Sequence, residues 1–365
     1  MVDYGSKIKE FEAELKKTKV NKKTEGAVGL LKGKIAQLKE KQEQRIQKKT
    51  GKSEYSYSVR KSGDAVVLLL GFPSAGKSTL LNKLTQANSE VGAYDFTTLS
   101  VVPGVMKYNQ AKIQILDVPG VVSGAASGRG RGKEVLAVIR SVDLVLILVD
   151  VYRPQNYPAL LQEINDSHIR INQSKPEVFI RKKTKGGIQI GKTVHLDLSN
   201  ETIKNVLREY KIVNADVLIR SKINLEQFID CVEDNKKYLP AIVCVTKSDL
   251  VNKETVEKVM KEIHADLAIS VEKDIGIEEL KQLIFKKLDF IRVYLKEPGK
   301  EADLNEPLIV KRDCTIRDVS DKLHKDFAAR FKFARVWGTS TKFPGQKLML
   351  NHILADKDIL EIHLN

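Results

Sequence analysis

Apolar residues near the start of the chain recur every three or four positions, as Ile8, Phe11 and Leu15 and then as Val28, Leu31, Ile35 and Leu38. That spacing lines one face of a helix, and Thr24 followed by Glu25 supplies a helix start. The pattern predicts two helices joined near Asn21, too short to stand alone and so packed on each other or on the core that follows. From Ala65 onward the period changes. Ala65–Leu70, Leu144–Val149 and Ala241–Val245 are short unbroken apolar runs, and Ile113–Leu116 is apolar apart from Gln114, the pattern of parallel strands buried on both faces. About ninety residues separate Asp150 from Ala241, far more than one crossover helix needs. Within them, Pro176–Gly191 reads as a hairpin turning at Gly186-Gly187; Leu196–Glu201 leads into a helix, and Ala215–Ile219 is a further apolar run. Lys296-Glu-Pro-Gly-Lys300 has the composition of a linker. Beyond it the pattern predicts short strands, Leu308–Lys311 among them, and a helix from Ile316 to about Phe331. The expected division is a helical region at 1–60, a core in two parts at 61–165 and 237–294, an inserted α+β subdomain at 166–236, and a closing domain at 295–365.

The first apolar strand runs into Gly71-Phe-Pro73-Ser74-Ala75-Gly76-Lys77-Ser78, which fits GxxxxGK[ST] at every fixed position, and Thr79–Leu84 begins a helix behind it. Strand, glycine-rich turn and helix together make a phosphate cradle, with backbone N–H groups and the helix dipole aimed at an anion. Lys77 would then reach the β- and γ-phosphates of a nucleoside triphosphate, and Ser78 would offer its hydroxyl to Mg²⁺. The next apolar strand ends in Asp117-Val-Pro-Gly120. An aspartate there can hold magnesium through water, and the Gly120 amide can sense the γ-phosphate. Between these motifs lies Tyr94-Asp-Phe-Thr97-Thr98; Thr98, with Thr97 close behind, is expected to complete the magnesium shell.

Base choice is expected at the end of Ala241–Val245, where Thr246-Lys247-Ser-Asp249 stands in place of the usual NKxD. Asp249 can accept both guanine N1–H and the exocyclic amine, which adenine cannot match, and such a site discriminates strongly. Lys247 would lie across the base. Thr246 keeps a hydroxyl but lacks the amide that ordinarily ties this loop to its surroundings. Ser270 and Val271, after a further strand, would offer backbone N–H groups to guanine O6. Taken in order, the motifs imply GTP binding and hydrolysis. Where Ras-like enzymes place a water-orienting glutamine, this chain has Val121, followed by a glycine-rich stretch with Arg129 and Arg131. Slow intrinsic hydrolysis is therefore expected, accelerated by a partner, a monovalent cation or ordering of that stretch.

Charge adds a partner to this picture. Lys and Arg number 62 against 47 Asp and Glu, a formal charge of +15, which suits a polyanion. Up to and including Lys52 the basic residues exceed the acidic ones by eight, about half of that excess, and Arg181, Lys182, Lys183 and Lys185 gather at the predicted hairpin tip as candidate RNA contacts. A solvated helical face, or an edge strand guarded by lysines, accounts for the same charges. No apolar run approaches the length that spans a bilayer, the first residues do not read as a signal peptide, and three cysteines make no CxxC pair. A cytoplasmic protein without membrane or DNA contact is expected.

Gly71–Thr79, Tyr94–Leu99, Asp117–Gly120, Gly128-Arg-Gly-Arg-Gly132, Asp150-Val-Tyr-Arg153, Asn21–Glu25 with Gly29–Lys32, and at the far end Val336-Trp-Gly338, Phe343–Gln346 and Asn351-His352 together resemble the developmentally regulated GTP-binding proteins, the DRG branch of the Obg-like GTPases. The resemblance spans almost the whole chain, with departures at Thr246 and Ala75. It implies an α/β architecture: a P-loop GTPase core, an N-terminal helical hairpin, an inserted α+β subdomain and a C-terminal β-grasp domain of the TGS type. It further implies potassium stimulation, a connection with ribosomes and translation, and a dedicated regulatory partner protein. A scaffold that binds RNA or ribosomes, with GTP as a conformational ligand, is the other reading that Val121 leaves open.

Overall fold

A computed structural model describes residues 4–18, 25–49, 63–85, 102–117, 141–166, 168–324 and 326–364. Asn21, Thr24, Thr97, Thr98, Gly120, Val121, Arg129 and Arg131 lie outside the described residues. Two helices open the chain, α1 (Tyr4–Lys17) and α2 (Glu25–Lys49). The core begins with β1 (Ala65–Leu70), α3 (Lys77–Thr85), β2 (Val102–Tyr108), β3 (Ala111–Asp117), β4 (Leu144–Asp150) and α4 (Tyr157–Asp166). The insertion contains β5 (Ile169–Ile171), β6 (Val178–Lys182), β7 (Ile188–Lys192), α5 (Asn200–Glu209), β8 (Ala215–Ile219), α6 (Leu225–Glu233) and β9 (Lys237–Leu239). The core resumes with β10 (Ala241–Thr246), α7 (Lys253–Glu262), β11 (Leu267–Ala268) and α8 (Ile277–Leu288). Last come β12 (Phe290–Lys296), β13 (Leu308–Lys311), α9 (Ile316–Leu323), β14 (Phe331–Trp337), β15 (Gln346–Leu348) and β16 (Asp358–Leu364).

These elements divide into two compact units, one of residues 1–56 with 168–238, the other of 57–167 with 239–365. In the larger unit a six-stranded sheet has the order β11-β10-β4-β1-β3-β2. Every pairing in it is parallel except β2 on β3. The unbroken apolar runs become its central strands, with every residue of β1 and β10 buried, because helices on both faces leave no face to water. A second, five-stranded sheet in the order β13-β12-β16-β14-β15 packs its inner face against Ile316 and Val319 of α9. This is the β-grasp domain.

Here α9 stops at Leu323, short of the expected Phe331. His324 is already extended at φ −160°, and Phe331–Trp337 is instead strand β14, with Ala334 and Val336 buried on either side of exposed Arg335. A period of two overrides a helix that has lost its apolar stripe. Trp337 serves as a structural anchor: Lys296 Nζ lies 4.4 Å from its ring centroid.

In the smaller unit the sheet order is β6-β8-β7. β6 and β7 therefore do not form the hairpin that their alternation and the Gly186-Gly187 turn predict. They run in opposite directions as a hairpin would, but β8 lies between them, antiparallel to β6 and parallel to β7. Ala215, Val217 and Ile219 of β8 point into a core with Ile203, Val206, Leu207 and Phe228 of the helices. Ser199 caps α5, and Asn224 with Gln227 forms a capping box on α6. Helices α1 and α2 pack on each other, as expected, and α2 also docks on this subdomain. Gly29 faces Thr202 and Leu225, Ala36 joins the subdomain core, and Lys32 pairs with Glu226 at 2.5 Å.

Candidate functional site

The carboxyl ends of β1, β3, β4 and β10 meet along one edge of the six-stranded sheet, where open α/β sheets place their ligands. Register brings Leu69 opposite Asp117 and Thr246 opposite Asp150. The phosphate loop occupies the gap between β1 and α3. At Gly71 a Cβ would stand 2.6 Å from the Leu148 carbonyl oxygen, so glycine alone lets the loop leave the sheet beside β4. At Gly76 a Cβ would meet nothing within 4 Å, but φ is +84°, so the left-handed turn and not the space requires glycine. That open space faces the first turn of α3, where an anion would sit. Ser74 also holds a positive φ of 67°. Ala75 is buried, Pro73 and Ser74 are exposed, and Thr79 is exposed on α3.

Within this loop Lys77 Nζ donates to the carbonyl oxygens of Gly71 and Phe72, at 3.0 and 3.1 Å. Burial lowers the Lys77 pKa and outweighs the opposing pull of Asp117. Ser78 Oγ donates to Asp117 Oδ2 at 2.9 Å. The other carboxylate oxygen, Asp117 Oδ1, is buried without a hydrogen-bond partner among the described residues. A buried anionic oxygen left unpartnered is costly, and beside a hydroxyl it is the donor set that a hard divalent cation takes, through water or directly. Ser78 and Asp117 thus fit Mg²⁺.

At the end where guanine is expected, Thr246, Lys247 and Asp249 are each held by a different neighbour. Thr246 is buried, and its Oγ1 lies 3.0 Å from the Ala75 carbonyl and 3.3 Å from that of Val149. The hydroxyl therefore performs the tie between β10, β4 and the phosphate loop that the missing amide would have made. Lys247 stands in left-handed backbone with φ 60° and pairs through Nζ with Asp150 Oδ2 at 2.6 Å. Asp249 is held by the Ser270 hydroxyl, which with help from Lys273 keeps its carboxyl below the usual carboxylate range. Ser270 is otherwise committed: its backbone N–H donates to Ile275 O at 3.0 Å, and its Oγ accepts from Lys273 N. Of the pair expected to face guanine O6, Ser270 is thus engaged with Asp249, Lys273 and Ile275.

Two contributors escape a reading of motifs alone. Asp150 positions Lys247, and Tyr152 joins two strand-end loops by donating its hydroxyl to Leu250 O at 3.0 Å. An aspartate closing an otherwise apolar strand was the available signal for the first. The structure places Arg181, Lys182, Lys183 and Lys185 in the smaller unit, at the β6–β7 turn, where Lys183 pairs with Asp216 at 2.5 Å.

Three family models match the chain: the 50S ribosome-binding GTPase domain over residues 66–183, the C-terminal region of that domain over 185–290, and the TGS domain over 291–364. An uncharacterized GTP-binding protein of Methanocaldococcus jannaschii is 49% identical over 360 residues, covering 97% of this chain and 91% of its own length. Developmentally-regulated GTP-binding protein 1 of Xenopus laevis is 39% identical over 360 residues and 98% of both chains. The developmentally-regulated GTP-binding protein 2 homolog of Dictyostelium discoideum is 38% identical over 358 residues, again 98% of each.

Proposed function

Because the chain belongs to the developmentally regulated GTP-binding proteins, a family of P-loop GTPases with a TGS domain, we propose that it is a slow, stimulated GTPase that works on the ribosome or its RNA in the cytoplasm. Lys77 leaves the carbonyls of Gly71 and Phe72 for the β- and γ-phosphates, and the N–H groups of the loop and of α3 cradle them. Bound magnesium neutralises phosphate charge, and Ser78, Asp117 and, by its place in the sequence, Thr98 are the residues that would hold it. Asp249 accepts from guanine, Lys247 lies along the base under the restraint of Asp150, and Val271 donates to O6. Water attacks the γ-phosphate in line, with the Gly120 amide and Lys77 stabilising the charge that develops.

The observation that carries this reading is the Ser78–Asp117 pair, whose Oδ1 has no partner among the described residues, together with the open left-handed turn at Gly76. Val121 cannot orient the attacking water, so the stimulating agent is proposed to be potassium, a partner protein or the ribosome. Multiple-turnover phosphate release from GTP tests the proposal. It should be slow in sodium and faster in potassium, and Asp249→Asn should move the preference from GTP to the xanthine nucleotide. Fast turnover in sodium alone would contradict the account of Val121. Tight GTP binding with no turnover under any of these conditions would favour the scaffold reading instead.

A further inference from the structure

One face of the inserted three-stranded sheet is covered by helices, and the other carries side chains that folding does not explain. Ile180, Val217 and Ile190 point into the helical core, so alternation sends their neighbours to the opposite face. Register sets those neighbours in two rows. Phe179, Leu218 and Gly191 lie side by side, and next to them Arg181, Asp216 and Gln189. Phe179 is 56% exposed, and the Arg220 guanidinium carbon stands 5.5 Å from its ring centroid. Gly191, also exposed, leaves room for the Leu218 side chain, whose Cδ1 would stand 3.4 Å from a Cβ there. Asp216 is already paired with Lys183, and exposed Arg181 and Arg220 bring positive charge to the ring beside one exposed carboxylate, Glu177.

Lysines guarding an edge strand would account for the charges at the β6–β7 turn. They do not account for a phenylalanine left in water on the open face of edge strand β6 with an arginine laid over it, since burying such a ring is what folding favours. An aromatic platform framed by guanidinium groups and lysines is the chemistry that receives an unpaired base and the phosphates on either side of it.

We propose that this outer face is a site for single-stranded RNA, with one base stacked on Phe179 beside Arg220 and the backbone passing Arg181 toward the basic β6–β7 turn. The proposal rests on the RNA or ribosome role proposed above and names the surface that serves it. It is tested with the full chain and a short fluorescein-labelled oligouridine, by fluorescence anisotropy across a salt series, with RNA duplex and single-stranded DNA of equal length beside it. Phe179→Ala should weaken binding about tenfold with the salt slope unchanged and the thermal midpoint kept, and Phe179→Trp should retain binding. Lys182→Ala combined with Lys185→Ala should lower the slope of log K against log salt by about one to two. If the wild type binds RNA but Phe179→Ala binds equally well, the stacking face is wrong and the broader RNA reading survives. Preference for duplex or for DNA would also overturn the face. Failure of the wild type to bind any RNA would remove both.

Discussion

Lys77 hydrogen-bonds to two carbonyl oxygens of its own loop, an arrangement that keeps the ammonium over the place where phosphates would lie. Its pKa is lowered, first by burial, with Asp117 opposing, and the sign of the consequence follows. A bound polyphosphate favours the charged form and raises that pKa, so above the lowered value binding must take up a proton. Nucleotide affinity should therefore fall as pH rises through the lowered Lys77 pKa, by up to about tenfold per unit, and at lower pH than an ordinary lysine would give. A titration with a fluorescent GDP analogue between neutral and strongly alkaline pH checks this. A flat profile until the ordinary lysine range would contradict it. Asp249 sits on the other side of neutrality: its carboxyl pKa is lowered, chiefly by the Ser270 hydroxyl, which favours the ionised form that the proposed guanine contact needs.

At the scale of elements, the site depends on how firmly β10 is tied to the phosphate loop. Thr246→Val removes a buried hydroxyl between the carbonyls of Ala75 and Val149 and leaves both without it. Denaturant unfolding should show a loss of about 1–2 kcal/mol, with weaker guanine nucleotide binding. Thr246→Asn should restore the nucleotide affinity, because its amide supplies a donor to the same loop; equal stability and affinity for the valine variant would show that the tie is idle. This contact joins residues 171 positions apart, which explains why the sequence motif showed a departure at Thr246 and not its compensation. The Lys247–Asp150 pair spans 97 positions and was hidden for the same reason. By contrast, β1, β4 and β10 were legible because burial on both faces writes an unbroken apolar run into the sequence. The β6–β7 pairing was misread because no local pattern reveals that β8, more than twenty residues later, takes the place between them. The end of α9 was missed where Phe331-Lys-Phe-Ala-Arg supplies apolar residues that serve a strand as well as a helix.

For the whole molecule, a formal charge of +15 suits the large polyanion of the proposed function. Each compact unit constrains how that is tested. Helix α2 lends Ala36 to the core of the inserted subdomain, so deleting the N-terminal helices would strip a packed face as well as remove charge, and charge-reversing substitutions on exposed positions are the cleaner probe. In the larger unit, Phe290 and Ile309 of the β-grasp domain lie in the same hydrophobic cluster as the β1 and β4 residues of the GTPase sheet, so truncation there carries the same penalty. The most direct measurement is co-sedimentation of the intact chain with purified ribosomes, in GDP and in a non-hydrolysable GTP analogue, across a salt series. The account predicts tighter binding with the analogue, weakening with salt in both states. Equal binding in the two states, or none at low salt, would contradict a GTPase whose nucleotide governs its hold on the ribosome.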